Sequence, residues 1–167
     1  MNRFYWDFVN QTNSLPVPPG RYKVTFTSGS YTAMEPLRLL VDPNVAMDGV
    51  TAADLREQYD HNIRMREMTA EVQRVQRRLQ DAVSRLGANA SGAQADTLQK
   101  AKAILSRVLD QPVRYGKPGL ATHVRYLAGM TARVDQKIGR DAIERYGVLR
   151  KELDGIEAET TRALGKG

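Results

Sequence analysis

The sequence predicts an α+β protein: a small antiparallel β unit over residues 1–47 followed by a mainly antiparallel four-helix bundle over residues 50–166. Three observations carry this expectation. Apolar residues alternate with polar ones between Arg21 and Val41, the period of a strand. After residue 50 the apolar period lengthens to alternating steps of three and four, the seam of packed helices. Glycine and proline clusters fall between the periodic segments and punctuate them.

The first segment, "MNRFYWDF", carries four large aromatics in eight residues and is expected to form a strand over 3–9. At period two, Phe4, Trp6 and Phe8 would share one face and Tyr5 and Asp7 the other. Pro18-Pro19-Gly20 then makes a turn that launches a second strand, in which Tyr22, Val24 and Phe26 alternate with Lys23 and Thr25 and are expected to face a core. Ser28-Gly29-Ser30 supplies a short hairpin connection, and Leu37, Leu39 and Val41 repeat the alternation until Asp42-Pro43 closes the β region. About three strands are too few to cover both faces of a sandwich. The aromatics of the first strand therefore need another surface.

Thr51 and Asp54 are candidate N-caps for the first helix. Met65, Met68, Val72, Val75, Leu79, Ala82 and Leu86 form its seam, and Gly87 with the "GANASGAQ" stretch ends it. A second helix carries Leu98, Ala101, Leu105 and Val108 and stops before Pro112, in a loop stiffened by proline at both ends. A third is expected to use Leu120, Val124, Leu127, Thr131, Val134 and Ile138, and a fourth Tyr146, Leu149, Leu153, Ile156 and Thr160. Short connections favour antiparallel packing of neighbours.

The chemistry suggested by composition is sparse. Cysteine is absent, which removes disulfides and thiolate metal sites. His61 and His123 are the only histidines, and they read as surface or interhelical hydrogen-bonding groups; no metal or other cofactor is expected. There is no G-x-S-x-G elbow and no glycine-rich phosphate cradle after a strand. Glu152 and Asp154 stand two apart on a helix, so they point to different faces as solvated charges. Met65 and Met68 fit the seam and are expected in the core, not on a cofactor. The fragment is therefore expected not to be an enzyme. Two sequons, at Asn10 and Asn89, carry no assigned role.

The net charge of +6 comes from 25 basic and 19 acidic residues, mostly intermixed. Arg74, Arg77, Arg78 and Arg85 cluster late in the first helix, interleaved with Glu67, Glu71 and Asp81. They read first as a solvated helix face and second as a patch for anionic ligands: polysaccharide, lipid headgroups or nucleic acid. Nucleic acid is the least expected of the three, because no recognised motif and no interleaved aromatics accompany the arginines. No apolar run approaches the roughly 20 residues that span a bilayer.

The order of motifs carries a resemblance. "MNRFYWDF", then "PVPPGRYKVTFTSGSYTAMEPLRLLVDPNV", then a helix starting "TAADLREQYD", is similar to the C-terminal region of bacterial exported β-propeller proteins of the sortilin-like or BNR type, often labelled glycosyl hydrolases. "VRYGKPGLATHVRYLAGM" and "RYGVLRKELDGIEAE" correspond to the last two helices of that region. The resemblance implies that residues 1–47 are part of an Ig-like sandwich, that Met1 is internal to a longer exported parent, and that any active site belongs to a propeller. It implies a non-catalytic accessory module, periplasmic or extracellular in its parent, acting in assembly or positioning. It also implies the parent's propeller as a partner; the unpaired edge of the β unit separately predicts self-association with a second copy.

Overall fold

A computed structural model of the chain describes residues 5–12, 14–87 and 90–165. Met1 to Phe4, which include the start of the strand expected over 3–9, Asn13, Ala88 and Asn89 of the connector, and Lys166 and Gly167 lie outside the described residues. The protein is α+β and mostly helical, with β1 (Gly20–Ser28), β2 (Tyr31–Leu39), α1 (Pro43–Met47), α2 (Ala52–Leu86), α3 (Ala93–Val108), α4 (Leu120–Ala132) and α5 (Arg140–Leu164). It divides into two compact units, Met1–Ile63 with Thr131–Ile138, and Arg64–Met130 with Gly139–Gly167. The division cuts through α2 and α4 and does not follow the change of period near residue 50.

In the first unit β1 and β2 pair antiparallel from Gly20↔Leu39 to Ser28↔Tyr31. The two-residue connection Gly29-Ser30 places Gly29 at φ +58°, the positive value that a II′ turn requires at its first central position. The ribbon therefore matches the expected hairpin. Its apolar face does not match the expected buried one: Val24 is 49% and Phe26 48% exposed. Among the described residues the sheet has two strands, and a two-stranded ribbon has no second layer of its own to cover a face.

The strand expected over 3–9 is likewise not formed at its described residues. Val9 makes a single bridge to Pro16, and Phe8 sits at φ +59°, which breaks extended geometry. The Asp7 carboxylate accepts from the Val9 N–H at 3.0 Å and the Trp6 indole donates to the Val9 carbonyl at 3.2 Å. These local bonds compete with a ladder and turn the chain. Trp6 consequently sets its ring tilted against Phe8 at 5.0 Å and edge-on to Tyr22 of β1 at 5.9 Å.

Helix α2 starts at a reciprocal cap. The Thr51 hydroxyl accepts from the Asp54 N–H, and the Asp54 carboxylate accepts from the Thr51 N–H at 2.9 Å. Its seam is buried from Met65 to Ala82 as expected. In the second unit one core draws Met65, Met68, Val72, Val75 and Leu79 from α2, Ala101, Ile104 and Val108 from α3, Leu120, Val124 and Leu127 from α4, and Leu149, Leu153 and Ile156 from α5. In α3, Ile104 takes the buried place expected of Leu105, which is half-buried. At 3.6 residues per turn the apolar stripe is wider than a strict seam and admits either neighbour.

The loop between α3 and α4 is closed by its own hydrogen bonds, Gln111 N–H to the Lys117 carbonyl at 3.2 Å and Gly116 N–H to the Val113 carbonyl at 2.8 Å. Asp110 then caps α4: its carboxylate accepts from the Gly119 N–H at 2.8 Å and the Thr122 hydroxyl at 3.0 Å. The Gly119 N–H foremost, and then Thr122, hold its carboxyl below the ordinary value of 3.8. Thr51 does the same for Asp54. A depressed folded pKa stabilises above the unfolded value and loses that contribution as pH falls through the folded one. Melting temperature followed between about pH 5 and 2 should therefore drop less steeply in Asp110→Asn than in the parent. Equal slopes would show that Asp110 makes no such contribution.

Candidate functional site

The first unit contains a cleft of about 320 Å³. Apolar residues Phe8, Leu15, Pro18 and Leu55 form its walls, and Gln58, Tyr59, Asn62 and Asp135 contribute polar atoms. These residues reach it from the turn before β1, from the first turns of α2 and from the segment after α4. The polar groups are largely engaged within the protein. The Gln58 amide donates to the carbonyls of Thr131 at 2.8 Å and Val134 at 2.7 Å, and its oxygen accepts from the Gln136 N–H at 3.2 Å. Asn62 donates to the Thr131 carbonyl at 3.1 Å and accepts from the Thr131 hydroxyl at 2.8 Å. Asn10 donates to the Tyr59 hydroxyl at 3.2 Å.

This amide cluster explains why the third helix is shorter than its seam predicts. The pattern expects helix through Val134 and Ile138, but α4 ends at Ala132 and Val134 is 63% exposed. Side chains of α2 take the carbonyls of Thr131 and Val134, so residues 131–136 satisfy their backbone without further helical turns. Ile138 is buried from outside any helix. Gln58→Leu would remove the bonds to the carbonyls of Thr131 and Val134 and from the Gln136 N–H, although Asn62 still donates to Thr131, at about 0.5 to 1.5 kcal/mol for each lost bond. The variant should lose about 3 kcal/mol in urea unfolding, whereas Gln73→Leu on the exposed side of α2 should unfold with the parent.

The arginines singled out from the sequence share one side of α2. At about 100° per residue Arg74, Arg78 and Arg85 fall within about 40° of one another, with Arg77 about 60° to one side of Arg74. Arg74, Arg77 and Arg85 are exposed; Arg78 is half-buried and donates to the Gly165 carbonyl. Asp81 lies inside the same sector, one turn from Arg77, Arg78 and Arg85. Glu71 is turned elsewhere, to an ion pair with Arg150, which also binds Asp154 at 2.7 Å. Asp154 is thus partnered and not simply solvated.

His61 is buried at 1% exposure and not at the surface, and His123 is half-buried on another helix. Among the described residues no three histidines, aspartates or glutamates come together to hold a metal ion, and no helix is long and apolar enough to cross a membrane. Met65 and Met68 are core residues, each 1% exposed.

Gln58, Asn62 and Thr131 were not anticipated as a cluster. The signal was present: Leu55, Gln58, Asn62 and Met65 continue the α2 seam at steps of three and four, with amides where apolar residues are expected. The molecule so defined is a small α+β protein with an amide-braced cleft, an exposed ribbon and a basic helix side. Comparison with known protein families, with curated proteins and with solved structures returns no match.

Proposed function

We propose that the chain is a non-catalytic accessory module that works by assembly, the β ribbon being its interaction surface. One observation carries this: the ribbon face made by Val24, Phe26 and Tyr31 is about half exposed or more, at 49%, 48% and 61%, and Trp6 and Phe8 extend it at 40% and 43%. Exposed apolar patches of this kind mark association sites in folded proteins. The motif order that resembles the tail of exported β-propeller proteins supports a place beside such a propeller, with the ribbon as part of an Ig-like sandwich. The shared core drawn from four helices supports a four-helix bundle after it.

Sedimentation over a concentration series tests the assembly role. The parent chain is expected to associate, and Phe26→Ser combined with Tyr31→Ser to dissociate it without changing the melting temperature of the helices. A monomeric parent at the highest concentration overturns the role. The coding sequence upstream of Met1 tests the parentage: repeated β-rich blades and a signal peptide support it, and an immediate stop codon refutes it.

A second reading, an anionic-ligand patch, is favoured by one finding. Among the described residues Arg74, Arg77 and Arg85 are exposed and form no ion pair, while Glu71, their acidic neighbour, is held by Arg150. Titration with heparin at two ionic strengths decides it: affinity through these groups falls steeply with salt and is lost in the triple Arg→Ala variant.

A further inference from the structure

The hairpin register determines which backbone groups of the ribbon face outward. In a two-residue hairpin the residues flanking the turn, here Ser28 and Tyr31, exchange hydrogen bonds, and bonded and non-bonded pairs then alternate along the ladder. Counting back along the pairing places Lys23↔Pro36 among the non-bonded pairs. Proline confirms the phase independently, since Pro36 has no N–H to give to Lys23. It follows that Pro36 stands on the outer edge of β2 and stops strand addition there. On the opposite edge Arg21, Lys23, Thr25 and Thr27 of β1 direct their N–H and C=O groups outward. All four are exposed, and among the described residues no further strand meets them.

We propose that the outer edge of β1 is a self-recognition site that takes β1 of a second copy, antiparallel, about a two-fold axis through Val24. In this register Arg21 and Thr27 pair with Thr27 and Arg21 of the partner copy, and Lys23 and Thr25 with Thr25 and Lys23, so all four outward residues join the ladder with about eight new hydrogen bonds. No basic residue stands opposite another. On the other face Tyr22 pairs with Phe26 of the partner copy, Val24 with Val24 and Phe26 with Tyr22, the aromatic and β-branched combinations that stabilise neighbouring strands. A register shifted by two residues to place Tyr22 on the axis would set Arg21 against Lys23, which like charge disfavours. The result is a four-stranded sheet in the order β2-β1-β1-β2. Because Pro36 guards both outer edges, the assembly closes as an isologous dimer and does not grow into a fibre.

Three substitutions test this in the full chain. Thr25→Pro removes an outward N–H without touching the β1–β2 ladder, and is expected to weaken dimerisation roughly tenfold or more in sedimentation equilibrium. Met34→Pro, directly across the ribbon from Thr25, is the matched control on the closed edge and should leave the dimer as it is. Val24→Cys puts the chain's only thiol on the two-fold axis, at a non-bonded pair with Cα atoms about 4.5 Å apart, within disulfide reach. It should cross-link to a covalent dimer under mild oxidation. Equal dissociation by Thr25→Pro and Met34→Pro overturns the edge assignment, and faster cross-linking of Thr25→Cys than of Val24→Cys overturns the register. The edge pairing rests on the ribbon being the assembly surface, and the two fail separately. If Phe26→Ser with Tyr31→Ser dissociates the chain while Thr25→Pro does not, the surface stands and the edge falls. A parent that stays monomeric but binds an extended peptide of alternating acidic and apolar residues removes the second copy as occupant.

Discussion

Val75→Asp is expected to unfold most of the second unit. Val75 is 6% exposed and belongs to the core shared by α2, α3, α4 and α5. A carboxylate there must either ionise away from water or take up a proton at a raised pKa, among side chains that are apolar. An uncompensated buried charge costs on the order of 3 to 5 kcal/mol, to be set against about 5 to 15 kcal/mol for a whole domain. Val75→Ala separates the two parts of the effect, since it loses only buried methyl groups and should cost about 2 kcal/mol. Gln73→Asp, on the exposed side of the same helix, should stay within about 0.5 kcal/mol of the parent. Urea unfolding followed by circular dichroism orders the three. If Val75→Asp melts within a few degrees of the parent, residue 75 is not core and the heptad register of α2 is wrong.

Gly119→Ala should be the costliest single-methyl change. A Cβ at Gly119 would lie 2.4 Å from the carbonyl carbon and oxygen of Leu109 and 2.5 Å from the Val108 carbonyl oxygen. These are backbone atoms at the end of α3, and they cannot swing aside as the tip of a flexible side chain can. Gly119 is also held in place, by its N–H on Asp110 and by its carbonyl, which accepts from Thr122 and His123. A loss of about 3 kcal/mol, the upper part of the range for overpacking, is expected. Gly129→Ala supplies the contrast. It sits inside α4 with nothing within 4 Å of an added Cβ, so the better helix propensity of alanine should raise stability by about 0.5 to 1 kcal/mol. Thermal melts should therefore rank Gly129→Ala above the parent and Gly119→Ala well below it. A Gly119→Ala protein as stable as the parent would mean that the α3–α4 loop adopts another path.

Much of the helical architecture was legible because it rests on period alone. Met65 to Ala82 and Leu149 to Thr160 repeat at steps that only a helix turns into a single stripe, and those residues are buried where the pattern puts them. The hairpin was equally legible, since Gly29 between two alternating runs leaves few other conformations. The first strand was misread: aromatic content gives a strand propensity, but Asp7 and Trp6 bind the backbone two and three residues on and turn the chain instead. The end of α4 was misread for a related reason. A seam of three and four describes where side chains would point if the helix continued, and says nothing of a glutamine 73 residues away that takes the Thr131 carbonyl.

The sequence by itself determined the α+β class, the ribbon with its turn, the seams of the long helices and the spacing of the arginines on one side of α2, because each depends on neighbours within a turn or a strand repeat. Tertiary structure alone decided that Gln58 and Asn62 stop α4, that Asp110 and Gly119 join the end of α3 to the start of α4, that Glu71 faces Arg150 and not the arginines beside it, and that the apolar face of the ribbon is open. Those outcomes turn on which hydrogen-bonding groups and surfaces meet from distant parts of the chain, and local periodicity carries no term for such meetings.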